Sequence, residues 1–173
     1  MQIDWTQISN PIHIKCKNLS DYVEISHILK QHNVRRYAYG WIYQNLLHYN
    51  GMSADNARRY GDRVTREAGH FKGWKNRLQE TTSGRDLYLK AIEYYPLIHK
   101  DDLELKVWDF TNYNWSVKDK PFIDLEVAED ELMMSHKKIY GEIPLWNQRD
   151  MQYAQQRRVV TDQTFDNFFF TVK

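Results

Sequence analysis

The sequence predicts an α+β fold, a small antiparallel sheet covered by four to six helices. Three observations predict it. Residues 103–110 and again 122–127 alternate apolar and polar side chains, the period of a strand with one buried side. The flanking stretches instead repeat their apolar residues every three or four positions, as a helix with one buried face does. Bulky residues are frequent, with 12 Tyr, 7 Phe and 6 Trp against 7 Gly, so 173 residues suffice for one good core in a single domain.

Taken in order, residues 1–11 read as an arm with Trp5 as its anchor. Residues 12–16 alternate weakly and suit an edge strand. Ser20 with Glu24 opens a first helix, and Asp21 favours its positive end. Tyr22, Ile25, Ile28, Leu29 and His32 follow at helical spacing, and Asn33 ends it. Residues 34–49 are apolar around most of a helical circumference, which predicts a second, central helix closed by Asn50 and Gly51. Ser53 caps a third helix whose stripe is Ala57, Tyr60, Val64, Ala68, Phe71, Trp74 and Leu78; it runs to about Gln79 or breaks near Gly69 or Gly73. Residues 82–84 turn, and residues 85–95 form a fourth helix that stops at Pro96.

The strands come next. Leu103, Leu105 and Val107 fall on one face and Glu104, Lys106 and Trp108 on the other. Polar residues 111–114 turn the chain, residues 115–118 return as a second strand, and residues 118–121 break it. In residues 122–127 Ile123, Leu125 and Val127 oppose Asp124 and Glu126, the third strand of a meander spanning about 103–127. A fifth helix opens with Glu129, Asp130 and Glu131 and ends with Lys137 and Lys138, a polarity that complements the helix dipole. Residues 141–144 link to a polar helix over 147–158. Residues 159–160 and 168–172 are apolar enough to pack, the latter as a further edge strand.

A single cysteine, Cys16, excludes an intrachain disulfide and a multi-cysteine zinc site. No apolar run has the length of a signal peptide or a membrane span, so the expectation is a soluble protein of a reducing compartment that does not engage a membrane: the cytoplasm, or a virion if the chain is an assembly protein. The net charge of +1 is unevenly spread. Residues 31–80 hold nine Lys/Arg and four Asp/Glu; residues 101–131 hold ten Asp/Glu and three Lys. Segregation of that kind points to partners of opposite sign, or to two halves that neutralise each other within the fold.

The basic half carries the leading functional expectation. Arg59, Arg63, Arg66, His70 and Arg77 lie near one helical face, flanked by Lys72 and Lys75, while Arg35-Arg36-Tyr37 and Arg58-Arg59-Tyr60 repeat a basic-basic-aromatic triplet. Lys and Arg meet phosphates, and exposed aromatics stack on bases. The expected role is therefore non-catalytic binding of nucleic acid or an acidic partner through Arg35, Arg36, Arg59, Arg63, Arg66, Lys72, Lys75 and Arg77, without a cofactor. An ordinary solvated face, partly balanced by Asp55, Asp62 and Glu67, is the plainer reading of the same stripe. Conversely, the acids of 101–131 present a negative surface to a basic protein or are merely solvated.

One local pattern suggests catalysis. Glu104-Leu105-Lys106 has the outline of the second half of a PD-(D/E)xK nuclease site, in which a glutamate and an upstream aspartate hold Mg²⁺ and the lysine steadies charge at the phosphate. Positions i and i+2 share one side of a strand, and Asp102 shares it too. Asp86 or Asp101 supplies a further acid and Glu24 a helper, although no Pro-Asp pair precedes the motif. Cross-strand charge pairing explains the same residues without catalysis. His99, Asp101 and His136 with Arg149 fit a two-histidine, one-carboxylate iron site only in a many-stranded jelly roll, which this chain lacks the strands to build. Cys16 and His13 are an odd step apart and fall on opposite strand faces. No Gly-rich phosphate loop or Gly-x-Ser-x-Gly turn is present. A third expectation is a structural or assembly protein, phage-like in its richness in Tyr, Trp and Asn, whose aromatic surface is covered by a protein partner or by further copies of itself.

Overall fold

The computed structural model describes residues 2–43, 46–53, 100–113, 115, 120 and 122–141. Their architecture is a four-stranded antiparallel sheet with an α-helix on each face. The strands are β1 (Ile12–Lys15), β2 (Tyr37–Tyr43), β3 (Leu46–Ser53) and β4 (Leu103–Asp109), in the order β1-β4-β2-β3; the helices are α1 (Glu24–Gln31) and α2 (Ile123–Tyr140). Short 3-10 turns occupy Trp5–Gln7, Cys16–Asn18 and Lys100–Asp102.

This corrects the expected meander under four to six helices. The strand at Leu103–Asp109 is present; residues 116–118 of its expected partner lie outside the described residues. Its two edges are taken by β1 and β2. From Glu104 to Val107 both edges are therefore occupied, which leaves no place there for a meander partner. Of residues 34–49, expected as a central helix, 37–43 and 46–49 instead lie in the paired strands β2 and β3. Tyr37, Tyr39 and Trp41 point to one side and Ala38 and Ile42 to the other, and all five are buried. A strand covered on both faces is apolar at every position, so its sequence mimics a helix apolar all round.

Residues 122–127, expected as the third strand, open α2. That helix buries Ile123, Asp124, Leu125, Val127 and Ala128 together, so even positions two apart are covered. The apparent alternation comes from a helix enclosed on several sides. Acids in its first turn, Lys137 and Lys138 in its last and Gly141 at φ 80° mark its ends, with the Gly141 N–H donating to the Lys137 carbonyl at 2.8 Å.

Helix α1 lies where its spacing puts it. Glu24 accepts a hydrogen bond from the Ser20 backbone, and Asp21 from that of Val23, so the approach to the helix is held by its own acids. Asn33 sits in the left-handed region at φ 56°, and Val34 N–H reaches back to Leu29 O at 2.9 Å. Asparagine tolerates that conformation, and the closure delivers Val34 into the core.

Each helix seals one core. On the α1 face, Ile25, Leu29, Tyr22 and Cys16 pack against Tyr37, Tyr39, Trp41, Leu103, Leu105 and Val107. On the α2 face, Leu125, Val127, Ala128 and Leu132 pack against Ala38, Ile42, Leu47, Trp108 and Phe110. The arm joins this second core: Trp5 meets Trp108 and Phe110 edge-on at 6.4 and 5.8 Å between ring centroids. The expected anchor is thus in place. Trp108, expected on a solvated face, is fully buried beneath it. The expected helices at 53–79, 85–95 and 147–158 and the strand at 168–172 lie outside the described residues, apart from Ser53, which ends β3.

Candidate functional site

The α2 face of the sheet changes character along β4. Towards Phe110 it is apolar. Towards Leu103 it carries Glu104 and Lys106, two residues apart and on the same side, as their spacing requires. The antiparallel register sets His13 of β1 opposite Lys106 and Lys15 opposite Glu104. On the other flank Gly40 of β2 stands opposite Lys106. The result is a polar row: His13, Lys15, Glu104 and Lys106 share one face across two strands.

Within that row His13 Nε2 lies 3.1 Å from Glu104 Oε2, with the two side chains 26% and 19% exposed. Lys106 is buried, and desolvation pushes its ammonium below the ordinary lysine range, with the Glu104 charge working in the opposite direction. A buried amine of lowered basicity beside a carboxylate and an imidazole is suited to moving protons or neutralising an anion. His13 was not singled out with Glu104 by sequence. The two are 91 positions apart, and only the β1–β4 register brings them together.

Asp102 does not belong to this row. The strand begins at Leu103, and Asp102 is exposed in the preceding 3-10 turn, where the two-residue alternation does not apply. Asp101 is exposed beside it, and Asp86 lies outside the described residues. Among the described residues no group of three or more His, Cys, Asp or Glu side chains is arranged to hold a metal ion.

The basic candidates divide. Arg36 is drawn into the fold: its guanidinium donates to both carboxylate oxygens of Asp124 at 2.7 Å, to Tyr113 O at 2.9 Å and to Phe110 O at 3.3 Å. Arg35, its neighbour, is exposed, with its backbone N–H donating to Thr111 Oγ1 at 2.9 Å. Arg59, Arg63, Arg66, Lys72, Lys75 and Arg77 lie outside the described residues.

The acids of 101–131 are not uniformly displayed. Asp124, Asp130 and Glu131 are buried. Glu131 Oε2 accepts hydrogen bonds from Ile3 N at 2.9 Å and Trp5 Nε1 at 3.2 Å. Burial raises its carboxyl to about 7, outweighing those two donors.

The chain matches no family model, no curated protein and no solved structure. The site must be read from its own geometry. Among the described residues no helix is long and apolar enough to cross a membrane.

Proposed function

We propose that the protein is a non-catalytic binding protein that engages nucleic acid, or an acidic protein partner, through its basic segment. The observation that carries this reading is the fate of the counter-charges. Asp124 is spent on Arg36, and Glu131 is spent on the N-terminal arm. Of the nine Lys/Arg in residues 31–80, removing Arg36 leaves eight against four Asp/Glu, a surplus of four. Arg35 is exposed and stays in the proposed interface with Arg59, Arg63, Arg66, Lys72, Lys75 and Arg77, while Arg36 is committed to Asp124. Such a surface attracts polyanions by counterion release. The test is binding of duplex and single-stranded DNA and RNA by fluorescence anisotropy across a salt series. Affinity should fall steeply with salt, and Arg59→Glu with Arg63→Glu and Arg66→Glu should abolish it while the far-UV spectrum stays unchanged. Absence of binding to any of these polymers at low salt overturns the nucleic-acid reading.

A second reading, Mg²⁺-dependent nucleic-acid cleavage, keeps one specific support: Glu104 and Lys106 share a face, with His13 at 3.1 Å from Glu104. It predicts nicking that disappears in EDTA and in Glu104→Ala; cleavage retained in Glu104→Ala removes that residue from the chemistry. A structural or assembly role, phage-like in kind, is the third reading, and a strict monomer by light scattering that captures no partner counts against it. The compartment proposed is the cytoplasm, or the virion under the assembly reading.

A further inference from the structure

The N-terminal segment is fastened to the body of the molecule in an unusual way. Ile3 and Trp5 are buried, and both donate to one oxygen of one carboxylate, Glu131 on α2. Trp5 closes over Trp108 and Phe110, and Ile8 packs against the same core. Glu131 is itself only 2% exposed, so the segment and the carboxyl bury each other. Lifting the segment would return Glu131 to water.

Among the described residues the charges around this carboxyl are few. From its own helix Asp130 adjoins it and disfavours ionisation. From the arm, the amino-terminal charge favours ionisation, and Asp4 is exposed with its carboxylate turned to Thr6 and Gln7. The sheet contributes Trp108 and Phe110 to the shared cluster, neither of them charged. Seven residues earlier on α2 the Asp124 carboxylate is taken by Arg36. Desolvation is thus the leading influence on Glu131.

We propose that residues 3–8 form a flap whose docking on α2 is governed by Glu131, tight while the carboxyl is protonated and loosened as it ionises. A neutral carboxyl still offers its carbonyl oxygen to the Ile3 and Trp5 N–H groups. An ionised one holds those bonds but must carry its charge in an apolar enclosure, and undocking relieves it. The sign follows from linkage. The docked carboxyl titrates near 7 and an exposed one near its ordinary 4.5, so docking is fully supported below 4.5 and loses that support as pH rises to about 7, levelling off above.

Hydrogen exchange of the amides of residues 3–8, corrected for intrinsic rates, tests this at pH 5, 6, 7 and 8. Protection should fall by up to about tenfold per unit from pH 5 to 7 and then flatten, while amides of Ile25 and Leu29 in α1 stay constant. Glu131→Gln keeps the shape and the acceptor oxygen and should make protection independent of pH. Trp5→Phe removes one donor to the ionised carboxylate and should move the flattening point upward. Wild-type protection unchanged between pH 5 and 7, or the same fall in Glu131→Gln, overturns the proposal.

Discussion

Arg36 Nη2 lies 2.7 Å from each carboxylate oxygen of Asp124. The two residues come from the basic early half and the acidic late half of the chain, 88 positions apart. Their contact joins the start of β2 to the first turn of α2, and the same guanidinium also holds the carbonyls of Phe110 and Tyr113. One cation thus ties three parts of the fold. It also shows that part of the charge asymmetry is consumed internally.

Loss of either member of this pair should be severe. Asp124 is 1% exposed and Arg36 19%, so truncating one strands a buried charge or buried carbonyls. We expect Arg36→Ala and Asp124→Ala each to cost about 3–5 kcal/mol in urea unfolding, and the double variant to cost less than the sum of the two. Additive losses would mean that the contact contributes no coupling.

Gly51 is required for a different reason. A Cβ at this position would sit 2.6 Å from Tyr39 Oη and 2.8 Å from Tyr39 Cζ, and the Tyr39 ring is buried between Tyr37 and Tyr49. Tyr39 is fully buried. Gly51→Ala should therefore destabilise by about 1–3 kcal/mol, as overpacking does, and Gly51→Ala with Tyr39→Phe should recover part of the loss. No rescue by Tyr39→Phe would place the cost elsewhere.

What could be read in the sequence follows from which interactions are local. The C-terminal end of α1 was legible because Asn33 acts within a few residues of its target; the start was not, for α1 opens at Glu24 behind Val23 and not at Ser20, whose backbone Glu24 accepts from. Strand β4 was legible because alternation is a property of one segment. Its neighbours were not, because pairing with Ile12–Lys15 and Tyr37–Tyr43 depends on contacts across most of the chain. Strand β2, buried on both faces, and the enclosed start of α2 misled for one shared reason: burial on every side erases the periodicity that distinguishes strand from helix. At the site, Glu104 and Lys106 sharing a face was predictable from their spacing. His13 beside Glu104, Asp124 beneath Arg36 and Glu131 under Trp5 were not, since each needs the tertiary fold.

Lys106 should make stability depend on alkaline pH. Its folded-state basicity is lowered by burial, so the folded protein binds that proton less readily than the unfolded chain. Stability should then rise as pH climbs from the folded-state value towards the ordinary 10.5. Lys106→Met removes this contribution and should stabilise at neutral pH, with the advantage shrinking in alkaline solution. Thermal melts of both proteins from pH 7 to 10 measure it. An advantage for Met that grows with pH would reverse the sign and show the ammonium to be favoured by its surroundings.

Arg35 and Arg36 separate binding from folding within adjacent residues. Arg35 is exposed whereas Arg36 is drawn into the fold, so Arg35→Ala should cost much less stability than Arg36→Ala. If Arg35 meets a phosphate, the same substitution should weaken nucleic-acid binding and lower the slope of log affinity against log salt by about 1. Arg36→Lys should do the opposite. A lysine keeps the charge but cannot hold Asp124, Tyr113 O and Phe110 O together with one rigid planar group, so stability should drop while any protein still folded binds with an unchanged salt slope. Anisotropy titrations at several salt concentrations, run beside urea melts, read both quantities. An unaltered salt slope in Arg35→Ala would take that residue out of the interface and leave the basic residues at 59–77 to carry it alone.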